Sequence, residues 1–546
     1  MFTTQYIKGD IFGGLTAAIV ALPLALAFGI SSGAGAVAGL YGAIFTGFFA
    51  AIFGGTSTQI TGPTGPMTVV MALVVTHFSG NLALAFSAVI LAGGFQILFG
   101  LAGIGRFIKL VPHPVVSGFM SGIGGIIIIL QIAPLLGHSA PNGDILTKLT
   151  ALPEILGEAN THALGLSAIT LLIMFATPKR LAVLLPPPLI AAFVGTLAGV
   201  FYFSAAPTIG EIPSGFPTLT IPDVALADIP FIIKFAIILA FLGAIDSLLT
   251  SLVADSMTRT HHDSNRELIG QGIGNVVAGL FGGIAGAGAT MRTLTNIRAG
   301  GTTRLAGILH AVILLLLVLG FSGAASQIPL AVLGGILIKV GVDIIDWNYI
   351  KRMRRAPLAG VVIMLTTLLI TIFVDLIVAV AVGIIMASLL FVSRMADAQL
   401  KSAQLTSDSN GVPNLSPEEA EILDRAEGKI VLFHMEGPLS FGSAHDITKL
   451  LLTTGEKEVL VIDLSNVPFI DGSASFALDE TIRSLHEQDD LVIVFGAHPN
   501  VVETLHSTGT LDRLDFHRVL DNRFEALTKA VTLLSEHERQ NRELKT

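Results

Sequence analysis

Thr61-Gly62-Pro63-Thr64-Gly65-Pro66-Met67-Thr68 lies between two strongly apolar runs, and its reading decides the fold. A helix interior tolerates neither proline, because each lacks an N–H and clashes with the preceding turn. In the first turn of a helix that N–H would be unsatisfied anyway, so the octapeptide reads as a break followed by a half-helix near Val70. Its glycines, Gly65 among them, let a ligand approach the backbone. Far downstream Gly286-Ala287-Gly288-Ala289-Thr290-Met291 again puts small residues ahead of a half-helix, near Leu294. Two helix N-termini facing one another, each worth about half a positive charge, form an anion site without a lysine. Small residues also suit close helix packing, but prolines and threonines are not what packing alone selects.

Outward from these breaks the chain is built for lipid. Of its 546 residues 52% are hydrophobic and only 13% charged, with a mean hydropathy of +0.77, more apolar than a soluble domain requires. Apolar runs of the length a bilayer core needs, about 20 residues, recur about fourteen times. They centre near Val20, Phe45, Val70, Ala92, Gly124, Leu171, Val194, Leu242, Val276, Leu294, Leu314, Leu337, Met364 and Ile384. The broken runs are the third of the first seven and the third of the second seven, which suggests two inverted seven-span repeats. With the N-terminus inside, Arg106, Lys109, Lys179, Arg180, Arg259, Arg266, Arg298, Arg304, Lys351 through Arg355 and Arg394 fall on the cytoplasmic side, as membrane topology favours. Only Lys148 and Lys234 fall outside, where Asp144, Glu154, Glu158, Glu211, Asp223 and Asp228 are expected. Ala25-Leu26-Ala27 could pass for a signal-peptide cleavage site, but Lys8 is the only basic residue before the apolar run and Asp10 balances it; an uncleaved first span is the simpler reading.

Charge divides the chain. Up to residue 395 there are 18 Lys+Arg against 14 Asp+Glu, and beyond it 13 against 26, so the tail is strongly acidic. The expected organisation is a transport domain over 1–395, a polar linker over 396–427 containing Ser407-Asp408-Ser409-Asn410-Gly411, and a cytoplasmic α/β domain over 428–546. Strands are expected at Lys429-Ile-Val-Leu-Phe-His, Val459-Leu-Val-Ile-Asp-Leu and Leu491-Val-Ile-Val-Phe-Gly, alternating with amphipathic segments near 443–454, 473–487 and 500–507. Zero cysteines exclude disulfides, thiolate metal sites and cysteine nucleophiles, and a net charge of −9 argues against a nucleic-acid partner.

Few ionisable residues lie as deep in an apolar run as Asp246, in the eighth span from Ile237 to Val253. A carboxylate there costs about 2.5–3.5 kcal/mol on insertion scales and is functional by default. Thr250, four residues on, shares its helix face. A carboxylate, a hydroxyl and carbonyls of a broken helix make a hard-oxygen cage for a small cation; a protonated or helix-capping Asp is the structural alternative. Other signals are weaker. Gly33-Ala-Gly35-Ala-Val-Ala38 matches a dinucleotide fingerprint without the soluble βαβ unit it needs. His261-His262 reads as a solvated loop pair, His113 as a turn residue and Asp375 as interfacial, while Arg292 either helps hold an anion or anchors the inner surface.

Gly62-Pro-Thr-Gly-Pro-Met67, Gly243-Ala-Ile-Asp246-Ser-Leu-Leu-Thr250, Ser264-Asn-Arg-Glu-Leu-Ile-Gly-Gln-Gly-Ile-Gly-Asn275 and Gly286-Ala-Gly-Ala-Thr-Met-Arg-Thr293 together resemble the SulP anion permease family. Val461-Ile-Asp-Leu-Ser-Asn-Val-Pro-Phe-Ile-Asp471-Gly-Ser-Ala resembles the STAS domain that family carries, and the likeness covers essentially the whole chain. Gly9-Asp-Ile-Phe-Gly-Gly-Leu-Thr-Ala-Ala and the Asp246 segment are similar to the BicA-type sodium-dependent bicarbonate transporters. The resemblance implies a membrane α-helical fold of fourteen spans in two inverted repeats with core and gate bundles, an elevator mechanism, a homodimer and a cytoplasmic STAS domain. It places Thr64 and Ala289 at a bicarbonate ion and Asp246, Thr250, Gly288 and Thr290 at a co-transported sodium ion. Gly472 stands where anti-sigma antagonists carry their phosphorylated serine, which argues against that switch here. The expected function is sodium-coupled bicarbonate import across a bacterial inner membrane, with no enzymatic chemistry. Its rivals are a SulP transporter for sulfate, a dicarboxylate or chloride, and a non-transporting anion receptor signalling through the STAS domain.

Overall fold

A computed structural model describes residues 4–106, 111–138, 145–178, 185–210, 218–219, 224–408, 415–453, 457–514 and 519–544. Lys109, Asp144, Lys179, Arg180, Glu211 and Asp223, used above for topology, and Ser409 to Gly411 lie outside the described residues. The chain divides into two compact units, Met1–Ile385 and Met386–Thr546.

The first unit is helical. Among the described residues fourteen helices of nine residues or more begin in it: α1 (Thr4–Ser31), α2 (Ala36–Phe53), α3 (Gly65–His77), α4 (Leu82–Leu101), α5 (His113–Leu135), α6 (Thr161–Ala176), α7 (Pro187–Phe201), α8 (Ile229–Thr258), α9 (Ser264–Leu280), α10 (Thr290–Arg298), α11 (Arg304–Ala325), α12 (Leu330–Ile344), α13 (Leu358–Phe373) and α14 (Leu376–Ser402). Every expected span centre falls on one of them. Six, α1, α2, α4, α5, α8 and α14, are by themselves long and apolar enough to cross a membrane, so the protein is multi-pass. The two broken runs fold as read from their glycines and prolines, α3 with 13 residues and α10 with 9.

Ahead of these short helices run two extended pairs, β1 (Thr61–Gly62) and β2 (Ala287–Gly288), which bridge antiparallel with Thr61 opposite Gly288. The packing forms two bundles. In one, α1 packs on α11, α8 on α4, α2 on α11, α9 on α4 and α2 on α9; in the other, α5 packs on α12 and α13, and α6 on α12. Backbones touch where side chains vanish: a Cβ on Gly93 of α4 would meet Gly272 O of α9 at 2.5 Å. The supposed dinucleotide fingerprint is the turn joining α1 to α2, with Gly35 at φ 92° before the first residue of α2. Among the described residues no strand precedes it.

The second unit contains a five-stranded sheet in the order β3 (Gln404–Thr406), β4 (Ile430–Glu436), β5 (Val459–Asn466), β6 (Leu491–Phe495), β7 (Val519–Leu520). β3 is antiparallel to β4 and the other pairs are parallel, with Ile430 opposite Val459 and Val459 opposite Leu491. Side chains alternate across it. Val431 and Phe433 pack toward helices 441–453 and 472–487, while Ile430 and Leu432 pack toward helices 417–425 and 523–544. β3 and helix 417–425 arise inside the polar stretch 396–427 expected as a linker, and the helix opens on a Ser416–Glu419 capping box with Leu423 buried.

Candidate anion and cation site

The two breaks meet beside the middle of α8. Thr64 precedes α3 and is buried; its Oγ1 approaches the Asp246 carboxylate, yet by strict hydrogen-bond geometry Thr64 Oγ1 and Asp246 Oδ2 both remain unpartnered. Thr250 follows one turn later, and its hydroxyl lies 3.0 Å from Gly288 O and 2.7 Å from Thr290 Oγ1. Gly288 N donates to Ser247 Oγ at 2.9 Å, and Ala289 N, just before α10, donates to Ile60 O at 2.8 Å. The geometry therefore brings Thr250, Gly288 and Thr290 together as one oxygen-rich corner a helical turn from Asp246, and sets Thr64, Gly65 and Ala289 at the positive ends of α3 and α10. An unpartnered carboxylate oxygen, one helical turn from two hydroxyls and the Gly288 carbonyl that Thr250 donates to, is a donor set whose chemistry fits a small hard cation.

Both glycines sit tight against protein atoms. A Cβ on Gly65 would meet Ile127 Cδ1 at 2.6 Å and Ile344 Cδ1 at 2.8 Å, side chains of α5 and α12. Gly65 thus marks where the site's own bundle meets the other bundle. A Cβ on Gly288 would run into the Gln59 side chain and come 3.0 Å from Ser247 Cα. Gly288 is required by protein packing, not by space left for an anion.

Sequence reasoning missed much of the surrounding shell. Arg292 is not an anchor at the surface: it is fully buried, its Nη2 donates to Pro63 O, and its guanidinium lies within electrostatic reach of Asp246. Glu267, Gln271 and Asn275 form a polar stripe at four-residue spacing along α9. Asn275 clasps the second break, accepting from Gly286 N at 2.8 Å and donating to Gly286 O at 3.0 Å. The four-residue spacing is visible in the sequence, where the stretch reads only as part of the span centred near Val276 and as a family motif. Asp10 is buried and accepts from Thr302 N, Thr303 N and Thr303 Oγ1 at the start of α11. His262 is not solvated: its Nδ1 lies 2.7 Å from Asp255 Oδ2 and its Nε2 2.9 Å from Ser264 Oγ, tying α8 to α9.

Apolar helices enclosing two broken ones, whose N-termini converge on a buried carboxylate, are the architecture of a secondary transporter. The chain belongs to the sulfate permease family, which it matches over residues 7–367, and residues 421–523 match the STAS domain. It is a transporter and not an enzyme. It is 45% identical over 542 residues to the "Bicarbonate transporter BicA" of Picosynechococcus sp., covering 97% of this chain and 96% of that protein. Among solved structures it is similar to the transmembrane domain of a cyanobacterial bicarbonate transporter BicA, with a TM-score of 0.66 and 48% identity over 69% of this chain and 98% of the other. SLC26A9 shares the fold over 99% of this chain and 92% of its own, with a TM-score of 0.82 at 18% identity.

Proposed function

We propose that the protein imports bicarbonate together with sodium across the bacterial inner membrane, through an elevator-like movement of the α1–α4/α8–α11 bundle against the other. The observation that carries this is the shared corner: Asp246, Thr250, Gly288 and Thr290 supply oxygens for sodium next to the helix ends at Thr64, Gly65 and Ala289 that suit a small monoanion. The relatives named for bicarbonate support the substrate. Two inverted seven-helix repeats are supported by the packing: exchanging each helix with the one seven later turns the α1–α11 pair into α8–α4, α2–α11 into α9–α4, and α5–α13 into α12–α6. The even number of helices, the basic inner loops and the acidic tail support cytoplasmic termini, and the working form we propose is a homodimer surrounded by lipid.

A second reading is a sulfate carrier, which the full positive charge of buried Arg292 favours. Uptake of labelled bicarbonate and labelled sulfate into proteoliposomes separates them. Bicarbonate uptake is expected to rise with an inward sodium gradient; a tenfold gradient supplies about 1.4 kcal/mol, enough for roughly tenfold accumulation at one sodium per anion. Sulfate uptake without bicarbonate uptake would overturn the substrate, and indifference to sodium would overturn the coupling.

The division into transport domain 1–395, linker 396–427 and STAS domain 428–546 also has a test. Because β3 pairs with β4, the chain should be ended after Ala403 rather than after Ser407. Such a truncated protein is expected to keep sodium- and bicarbonate-dependent thermal stabilisation in detergent. Loss of both in a protein that inserts normally would make the STAS domain part of the site.

A further inference from the structure

Glu267 is buried within α9 and its carboxylate is saturated by four neutral donors. Oε2 accepts from Gly55 N and Thr56 N, both at 2.8 Å, and Oε1 accepts from Gln59 Nε2 and Gln271 Nε2, both at 2.8 Å. Two routes lead from this hub to Gly288, whose carbonyl faces Thr250. The Gln59 side chain fills the space against the Gly288 α-carbon, while its Oε1 accepts from Ser251 Oγ at 2.9 Å. Gln271 also donates to Thr61 Oγ1 at 2.7 Å, and Thr61 is the residue paired with Gly288 across the two breaks. Ser251 Oγ in turn lies 2.7 Å from Thr56 Oγ1, so α8 itself is tied into the hub.

We infer that Glu267 is a positioning residue for the cation subsite, fixing the Gly288 carbonyl through Gln59 and through the Gln271–Thr61 pair. It touches neither ion. The inference rests on the reading of Asp246, Thr250, Gly288 and Thr290 as the sodium site. Only an ionised carboxylate offers acceptors on both oxygens; a glutamine here would turn an NH2 group toward two of the four donors. Those donors would separate, and the first break, with Gln59, would shift against Gly288. Groups that orient metal ligands from behind typically account for about 10- to 100-fold in affinity or activity.

The test uses the purified full-length chain and two readouts: sodium-dependent thermal stabilisation, and the sodium concentration for half-maximal bicarbonate uptake. Glu267→Gln is expected to raise the sodium requirement in both by about 10- to 100-fold, while half-saturation by bicarbonate at saturating sodium changes less than about threefold. Glu267→Asp, which keeps both acceptors on a shorter arm, should recover part of the loss. Ser251→Ala removes one strand of the relay without unmaking the hub, and should shift the sodium requirement the same way by a smaller factor. An unchanged sodium requirement in folded Glu267→Gln, or a fall in maximal rate alone, would overturn the inference; if that variant does not fold, an unchanged requirement in Ser251→Ala would do so. Thr250→Ala is the control for the underlying reading. A shift in Thr250→Ala with none in Glu267→Gln sinks only the role of Glu267, whereas a wild-type protein blind to sodium in both readouts overturns the sodium site as well.

Discussion

Replacing Asp246 with Asn should abolish sodium-stimulated uptake while leaving insertion and expression close to wild type. The argument starts from cost: a carboxylate inside an apolar helix must be protonated, paired or bound to a cation when it is in use. On α8 itself no basic residue lies at helical spacing from it, and Thr250 one turn on is neutral. Asn keeps the size and a carbonyl oxygen but removes the charge that sets sodium affinity; losing one partner of a buried charged interaction costs about 2–5 kcal/mol, roughly 30- to several-thousand-fold in binding. Thr250→Ala deletes one neutral oxygen from the same corner and should only raise the sodium concentration needed for half-maximal uptake. Uptake should be followed against sodium at fixed pH and then against pH at fixed sodium. Should wild-type uptake ignore sodium, follow a proton gradient, and lose that dependence in Asp246→Asn, the residue carries a proton and the sodium assignment is wrong.

How much of this was legible in the sequence follows from which features have a local signal. Gly62-Pro63 and Gly65-Pro66 forbid a continuous helix, so the half-helix from Gly65 to His77 could be placed from covalent chemistry alone. Asp246 and Thr250 stand out because the run around them is apolar. The pairing of Thr61 with Gly288 had no such signal, since two-residue strands show no periodicity and their partner lies hundreds of residues away. Arg292 was ambiguous for a related reason: α10 is too short to say from sequence whether its third residue points inward. β3 hid in a polar stretch because a three-residue edge strand shows no periodicity, whereas helix 417–425 is signalled only by its Ser416–Glu419 capping box and the buried Leu423. Periodicity reports what a segment buries, and at the site the decisive contacts are polar and distant in sequence.

The position of Arg292 leads to an expected result with opposite signs for the two ions. Its guanidinium is buried, holds Pro63 O through Nη2, and lies within electrostatic reach of Asp246. On the proposed assignment of the two ions, a fixed positive charge there would attract the anion at the ends of α3 and α10 and compete with sodium for the field of Asp246. Arg292→Gln retains a donor for the Pro63 carbonyl while removing the charge. It should therefore weaken bicarbonate and tighten sodium. Two unit charges several ångström apart at an effective dielectric of about 20 interact by about 2 kcal/mol, roughly thirtyfold in affinity. Bicarbonate half-saturation should rise by about that factor, and sodium-dependent thermal stabilisation measured without anion should reach half its maximum at a correspondingly lower sodium concentration. A substitution that merely loosened the break would weaken both ions together. If Arg292→Gln lowers thermal stability but leaves both affinities unchanged, the guanidinium braces Pro63 and contributes nothing to the field in which the two ions meet.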